Sequence, residues 1–159
     1  MKSTAFFALG LVVGALLLGP GWAQNSQKHA LNHVGLRVED YDKAMAFYTG
    51  ALGFREAYTV KKPDGSPLLT YLQLNRDTFV ELIPAGPGET PGITHFGVEV
   101  GNLEAAVTRL RQHGVEVADP ALTPAKALYT RIEDRDGADI EIMEFGPEAL
   151  QRKAMDAWN

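Results

Sequence analysis

Leu31-Asn32-His33-Val34-Gly35-Leu36-Arg37-Val38 reads as a β-strand, and its pattern returns at Thr94-His95-Phe96-Gly97-Val98-Glu99-Val100. Both stretches carry His-x-Gly-x-x-Val. Side chains alternate faces along a strand, so Val34, Leu36 and Val38 line one face while His33, Gly35 and Arg37 line the other. The second copy sets Phe96, Val98 and Val100 against His95, Gly97 and Glu99 in the same way. The apolar face must pack on a core. Each histidine therefore points away from that core, and the glycine beside it leaves room for something to approach.

The segments around the two copies repeat as well. After the first, Glu39 and Asp40 supply acidic residues where a helix would start, and Ala44, Phe47, Tyr48 and Leu52 recur at helical spacing up to Gly53. This helix is expected to cover the Val34/Leu36/Val38 face. Strands are expected at 54–60, 68–74 and 78–83, with a Pro/Asp/Gly turn between the first two. Residues 84–92, rich in proline and glycine, read as a linker. The second copy leads to Asn102 as helix N-cap, then Leu103, Ala106, Val107 and Leu110 on one helical face. Strands at 115–117, 128–133 and 138–145 follow, with a loop over 120–126. The offset is 62 at the histidines, 61 at Gly53/Gly114 and 60 at Glu81/Glu141. So small a drift marks a duplicated βαβββ module, the first over 31–84 and the second over 93–146, in an α+β domain spanning 24–146. Residues 147–159 form a tail in which Leu150, Ala154 and Trp158 share a helical stripe. Such a helix would cover a sheet edge or make a subunit contact, the latter giving a homodimer.

The first 23 residues stand outside this pattern. A basic start at Lys2, an apolar run from Ala5 to Leu18, and Gly21-Trp22-Ala23 before Gln24 make a secretory signal peptide. The run is shorter than the ~20 residues of a spanning helix. The mature protein is expected to begin at Gln24 and to be periplasmic or secreted, with no membrane association after cleavage. Thiol catalysis and thiolate metal ligation are excluded, because the chain has no cysteine. A formal charge of −5, one unit more negative once Lys2 leaves, argues against nucleic acid and anionic membrane as partners.

In the strand at 78–83, Val80 and Leu82 share one face, and Glu81 stands between Phe79 and Ile83 on the other. In its repeat, Ile140 and Ile142 oppose Glu141 and Met143. Both carboxylates thus turn to the side the histidines face, and His33, Glu81, His95 and Glu141 can converge. Two carboxylates at close range repel, and burial beside Phe79 and Met143 adds to the cost. One divalent cation removes the conflict. Two imidazoles with two carboxylates suit Zn, Ni, Fe, Co or Mn better than Ca or Mg. By the same parity Arg37, Tyr71, Gln73, Tyr129 and Arg131 face the site and are candidate substrate contacts.

With these motifs in place, the chain resembles the vicinal oxygen chelate superfamily, which includes glyoxalase I. The resemblance spans Leu31 to Phe145 and rests on His33-Val-Gly-Leu-Arg-Val, Phe47-Tyr48 with Leu52-Gly53-Phe54, Val80-Glu81-Leu82, His95-Phe-Gly-Val, and Asp136-Gly137 leading to Ile140-Glu141-Ile142. It implies two βαβββ modules forming one open, eight-stranded cup around one metal, with His33, Glu81, His95 and Glu141 at the four ligand positions. Arg37 matches a basic residue that glyoxalase I places near its glutathione substrate, and Lys126 matches a loop lysine. Ala85 departs from a common glutathione-binding Asn. The presence of Glu81 tilts the expectation towards the glyoxalase and epimerase branches. There the metal holds two vicinal oxygens of a small substrate, and Glu81 or Glu141 takes the proton beside the carbonyl to leave an enediolate. Two other functions stay open: a ring-cleaving extradiol-type dioxygenase, and a non-catalytic protein that sequesters an antibiotic or other small molecule.

Overall fold

The protein is described by a computed structural model over residues 29–159. The expected signal peptide, 1–23, lies outside the described residues. β1 (Ala30–Val38) leads to α1 (Tyr41–Met45), which runs on as a π-helical segment (Ala46–Ala51), then to β2 (Arg55–Lys61), β3 (Pro67–Asn75) and β4 (Thr78–Pro84). The order recurs as β5 (Gly92–Glu99), α2 (Leu103–Gln112), β6 (Ala121–Leu122), β7 (Leu128–Glu133) and β8 (Asp139–Glu144), closed by α3 (Leu150–Asp156). The eight strands form one curled sheet in the order β2-β3-β4-β1-β5-β8-β7-β6. Each histidine strand runs parallel to the last strand of its own module, and β1 and β5 meet antiparallel at the centre. Among the described residues no helix is long and apolar enough to cross a membrane.

The alternation in β5 and β8 has the expected result on the convex face. Asn102 caps α2 by accepting from the Ala105 amide, and Leu103, Ala106 and Val107 are buried against Val100 and Ile142, with Val98 and Ile140 alongside. Full burial of a Leu or Val is worth about 1.5–3 kcal/mol, so this face anchors the second module.

The first module differs from expectation. Asp40 caps its helix at the expected start, but none of the helical residues is buried, and Phe47 and Leu52 are about half exposed. The cause is the π-segment, in which the Leu52 amide bonds back to the Phe47 carbonyl. Wider turns break the 3.6-residue stripe on which the apolar spacing relied. The strand expected at 115–117 is also absent. The Val117 carbonyl accepts from Arg111 and the Ala118 carbonyl from Thr130, and the eighth strand forms instead at Ala121–Leu122, inside the expected loop.

The C-terminal helix packs beside β2, an edge strand of the sheet, where Arg55 reaches the Ala154 carbonyl, and extends from there over the concave face. On the concave face α3 buries Gln151, Ala154 and Met155, a face that shares Ala154 with the expected Leu150/Ala154/Trp158 stripe but is rotated towards Gln151 and Met155. There Ala154 and Met155 join Tyr71, Phe79, Met143 and Phe145 in a second core. Polar bonds hold it: Gln73 donates to the Ala154 carbonyl at 3.3 Å and Arg152 to Glu99 at 3.0 Å. Trp158, beyond the helix end, lies 4.7 Å under the Arg55 guanidinium.

Candidate metal centre

Cross-strand register brings the four expected ligands together. Gly35 pairs with Glu81 on one side and His95 on the other, and Gly97 pairs with Glu141 and His33. Two rows, Glu81–Gly35–His95 and Glu141–Gly97–His33, thus cross the centre of the sheet. The glycines are what let the rows close. A Cβ on Gly35 would fall 2.2 Å from Cε1 of His95, and one on Gly97 would fall 2.0 Å from Cε1 of His33. The approaching group for which each glycine leaves room is the histidine of the other module.

The Nε2 atoms of His33 and His95 are 3.1 Å apart. Oε2 of Glu81 is 2.9 Å from the His95 nitrogen and 3.8 Å from that of His33, while Oε2 of Glu141 is 3.5 Å from His33 and 3.8 Å from His95. His33, Glu81 and His95 offer ligand atoms all within 4.8 Å of one another, and all three residues are buried. Glu141 stands beside this group.

Hydrogen bonds at the far side of each ring set the tautomers. Thr94 donates to the Gly35 carbonyl at 3.2 Å, so its oxygen is left to accept from Nδ1 of His95 at 2.9 Å. Asn32 donates to the Asp77 carbonyl at 3.2 Å and accepts from Nδ1 of His33 at 3.2 Å. With both protons on Nδ1, two Nε2 lone pairs face one another, and Oε2 of Glu81 is buried with no donor. Like partial charges at this spacing repel, and a cation between them is the group that satisfies all three atoms. The donor set therefore fits a divalent transition metal.

Asn32 and Thr94 were not singled out from the sequence, although a readable signal was there. Each is a polar residue immediately before a repeat histidine. Both fall where the β1–β5 register shifts, and a bulge turns a side chain out of strict alternation. Tyr58 was missed for the same reason: the β2–β3 register shifts between Glu56 and Tyr58. Its ring stacks on Tyr71 at 5.0 Å, and its buried hydroxyl has no partner. Burial, reinforced by Glu81, pushes the phenols of Tyr58 and Tyr71 above the usual tyrosine range. Both stay neutral.

The candidate substrate contacts divide. Tyr71 and Tyr129 line a cavity of about 200 Å³ together with Glu81, Glu141 and Gln151. Gln73 does not reach it, being spent on the Arg76 and Ala154 carbonyls and on Arg55. Arg37 turns to Glu89 of the linker at 3.3 Å. Arg131 grips Oε1 of Glu141 at 2.5 Å. Burial opposes charge on Glu141, but in the metal-free site the bonds from Arg131 and from His33, when its ring carries a second proton on Nε2, prevail and hold its carboxyl at about 2. Burial likewise works against the charge on Arg131, and the bond to Glu141 outweighs it. At the matching point of the first module, the cross-strand neighbour of Glu81 is Tyr71, so the two glutamates are not equivalent.

Comparison with known proteins agrees with this geometry. The sequence profile described as Glyoxalase/Bleomycin resistance protein/Dioxygenase superfamily matches residues 30–142. The lactoylglutathione lyase of Salmonella typhimurium is 29% identical over 125 residues, which cover 72% of this chain and 91% of that enzyme. The mitochondrial methylmalonyl-CoA epimerase of Homo sapiens is 30% identical over 92 residues, 52% of each chain. The crystal structure of methylmalonyl-CoA epimerase from Mycobacterium tuberculosis superposes with a TM-score of 0.64 at 25% identity, covering 74% of this chain and 89% of that one.

Proposed function

The chain belongs to the glyoxalase/bleomycin resistance protein/dioxygenase superfamily, and on that premise we propose that it is a metal-dependent lyase or isomerase that moves a proton on the carbon beside a carbonyl. The observation that supports this most is the meeting of two imidazole nitrogens with two carboxylates, Glu81 and Glu141, that line one cavity. When bound, a divalent transition metal would supply Lewis-acid polarisation of that carbonyl and a neighbouring oxygen. His33 and His95 would hold it through Nε2, with Glu81 and Glu141 as the oxygen donors. Arg131 ties Glu141 by its second oxygen, whereas Oε2 of Glu81 has no hydrogen-bond partner. Glu81 is therefore the carboxylate we assign to take the proton beside the carbonyl and to return one to that carbon. Tyr71, neutral and edge-on to His33 at 5.2 Å, sets its hydroxyl 3.4 Å from Nε2 of that ring, on the side that faces the site.

The test is proton exchange in D₂O. Protein loaded in turn with Zn, Ni, Co, Fe or Mn is incubated with α-keto and 2-hydroxy carbonyl compounds and followed by proton NMR. Metal-dependent loss of the signal beside the carbonyl is expected. Glu81→Gln should slow it by roughly 10²–10⁴-fold, while Glu141→Gln should act mainly through weaker metal binding. Oxygen consumption with a catechol and no exchange would replace this reading with ring cleavage. Tight binding of an antibiotic, with neither reaction, would replace it with sequestration.

A further inference from the structure

The cavity beside the metal residues is short. Its walls are Leu69, Tyr71 and Glu81 of the first module, the segment from Leu122 to Ala125, Tyr129, Glu141 and Met143 of the second, and Gln151 of α3. At about 200 Å³ it falls below the ~300–1,000 Å³ of sites that bury drug-sized ligands. The limit is set by α3, which fills the concave face next to the site with Ala154 and Met155 over Tyr71, Phe79 and Met143. Arg152 on Glu99 and Gln73 on the Ala154 carbonyl lock it there. Among the described residues, none lining the cavity is Lys or Arg, so the phosphates or carboxylates of a long conjugate would meet no counter-charge. One polar group is left over. Gln151 is 1% exposed; its amide hydrogen-bonds the Tyr71 hydroxyl, and its Oε1 has no donor. A buried acceptor without a partner is costly, and a substrate hydroxyl is a group that would satisfy it.

We propose that the site takes a small, unconjugated 2-hydroxy carbonyl compound whose hydroxyl donates to Gln151, and that α3 excludes thiol-conjugated substrates. This rests on the proton-transfer reading above and names its substrate class. In it Glu81 removes the proton beside the carbonyl, the C–H electron pair moves towards the carbonyl oxygen, and a proton, exchanged with solvent on the Glu81 carboxyl, is returned to carbon, so no co-reactant beyond water is needed.

The experiment runs exchange in D₂O on metal-loaded full-length protein with two panels. One holds three- and four-carbon 2-hydroxy aldehydes and ketones. The other holds the glutathione hemithioacetal of a 2-oxoaldehyde and methylmalonyl-CoA. Exchange in the first panel alone is expected. Exchange in the second panel, alone or alongside the first, overturns the inference and leaves the proton-transfer reading intact, whereas exchange in neither overturns both. Gln151→Met keeps the side chain's length and should lower kcat/KM for the hydroxylated compounds by roughly 2- to 12-fold, with little change for analogues lacking that hydroxyl. An equal loss on both sets, at unchanged thermal midpoint, would refute the role of Gln151. If the variant fails to fold, the wild-type ratio between panels still decides the substrate class.

Discussion

The imidazole of His95 lies directly over the backbone of Gly35 on the neighbouring strand, in space a single methyl group would fill. This contact, with its repeat partner between His33 and Gly97, carries the meeting of the two modules at one point. Gly35→Ala should therefore displace the His95 ring and cost about 1–3 kcal/mol through overpacking. Metal stoichiometry by elemental analysis and the thermal midpoint should both fall. Full metal occupancy in this variant would contradict the assigned geometry.

The Thr94 hydroxyl fixes the tautomer of His95. Thr94→Val keeps the side chain's shape and removes the bond, and metal affinity should drop by about 10- to 100-fold, as for other outer-shell partners of metal-bound histidines. Competition with a chelator measures it. Unchanged affinity would mean that the tautomer is set elsewhere.

In the metal-free protein, the Glu141 carboxyl lies at about 2 against an ordinary 4.5. The folded state binds this proton less readily than the unfolded one, so the group contributes stability above about pH 4.5 that is lost as the pH falls towards 2. The stability difference between wild type and Glu141→Gln, followed by urea denaturation, should narrow over that window. A difference that stays constant across it would show that the Arg131 bond does not depress the carboxyl.

Met155 is 1% exposed and sits among Tyr71, Phe79 and Met143. Met155→Ala should cost about 2–5 kcal/mol, read from the urea midpoint. A cost under about 0.5 kcal/mol, the level of ordinary surface changes, would place α3 outside the core.

Much of this molecule was legible in its sequence, because the deciding signals are local. Strict alternation around His33 and His95 sorted each strand into a core face and a site face, and the repeat set Glu81 and Glu141 on the same side. Asn102 and Asp40 announced the helix starts, since a capping side chain acts on an amide three residues away. What the sequence could not settle were relations between residues distant along the chain. Register across β1 and β5 decided that each glycine receives the other module's histidine, and register across β7 and β8 decided that Arg131 serves Glu141. Bulges at Asn32, Ala57 and Thr94 broke the alternation and brought Asn32, Tyr58 and Thr94 to the site. The docking of α3 into the cup depended on its fit against side chains from four strands, a sum of contacts that no stretch of its own residues encodes. It left Gln73 a structural tie and made Gln151 a wall of the cavity.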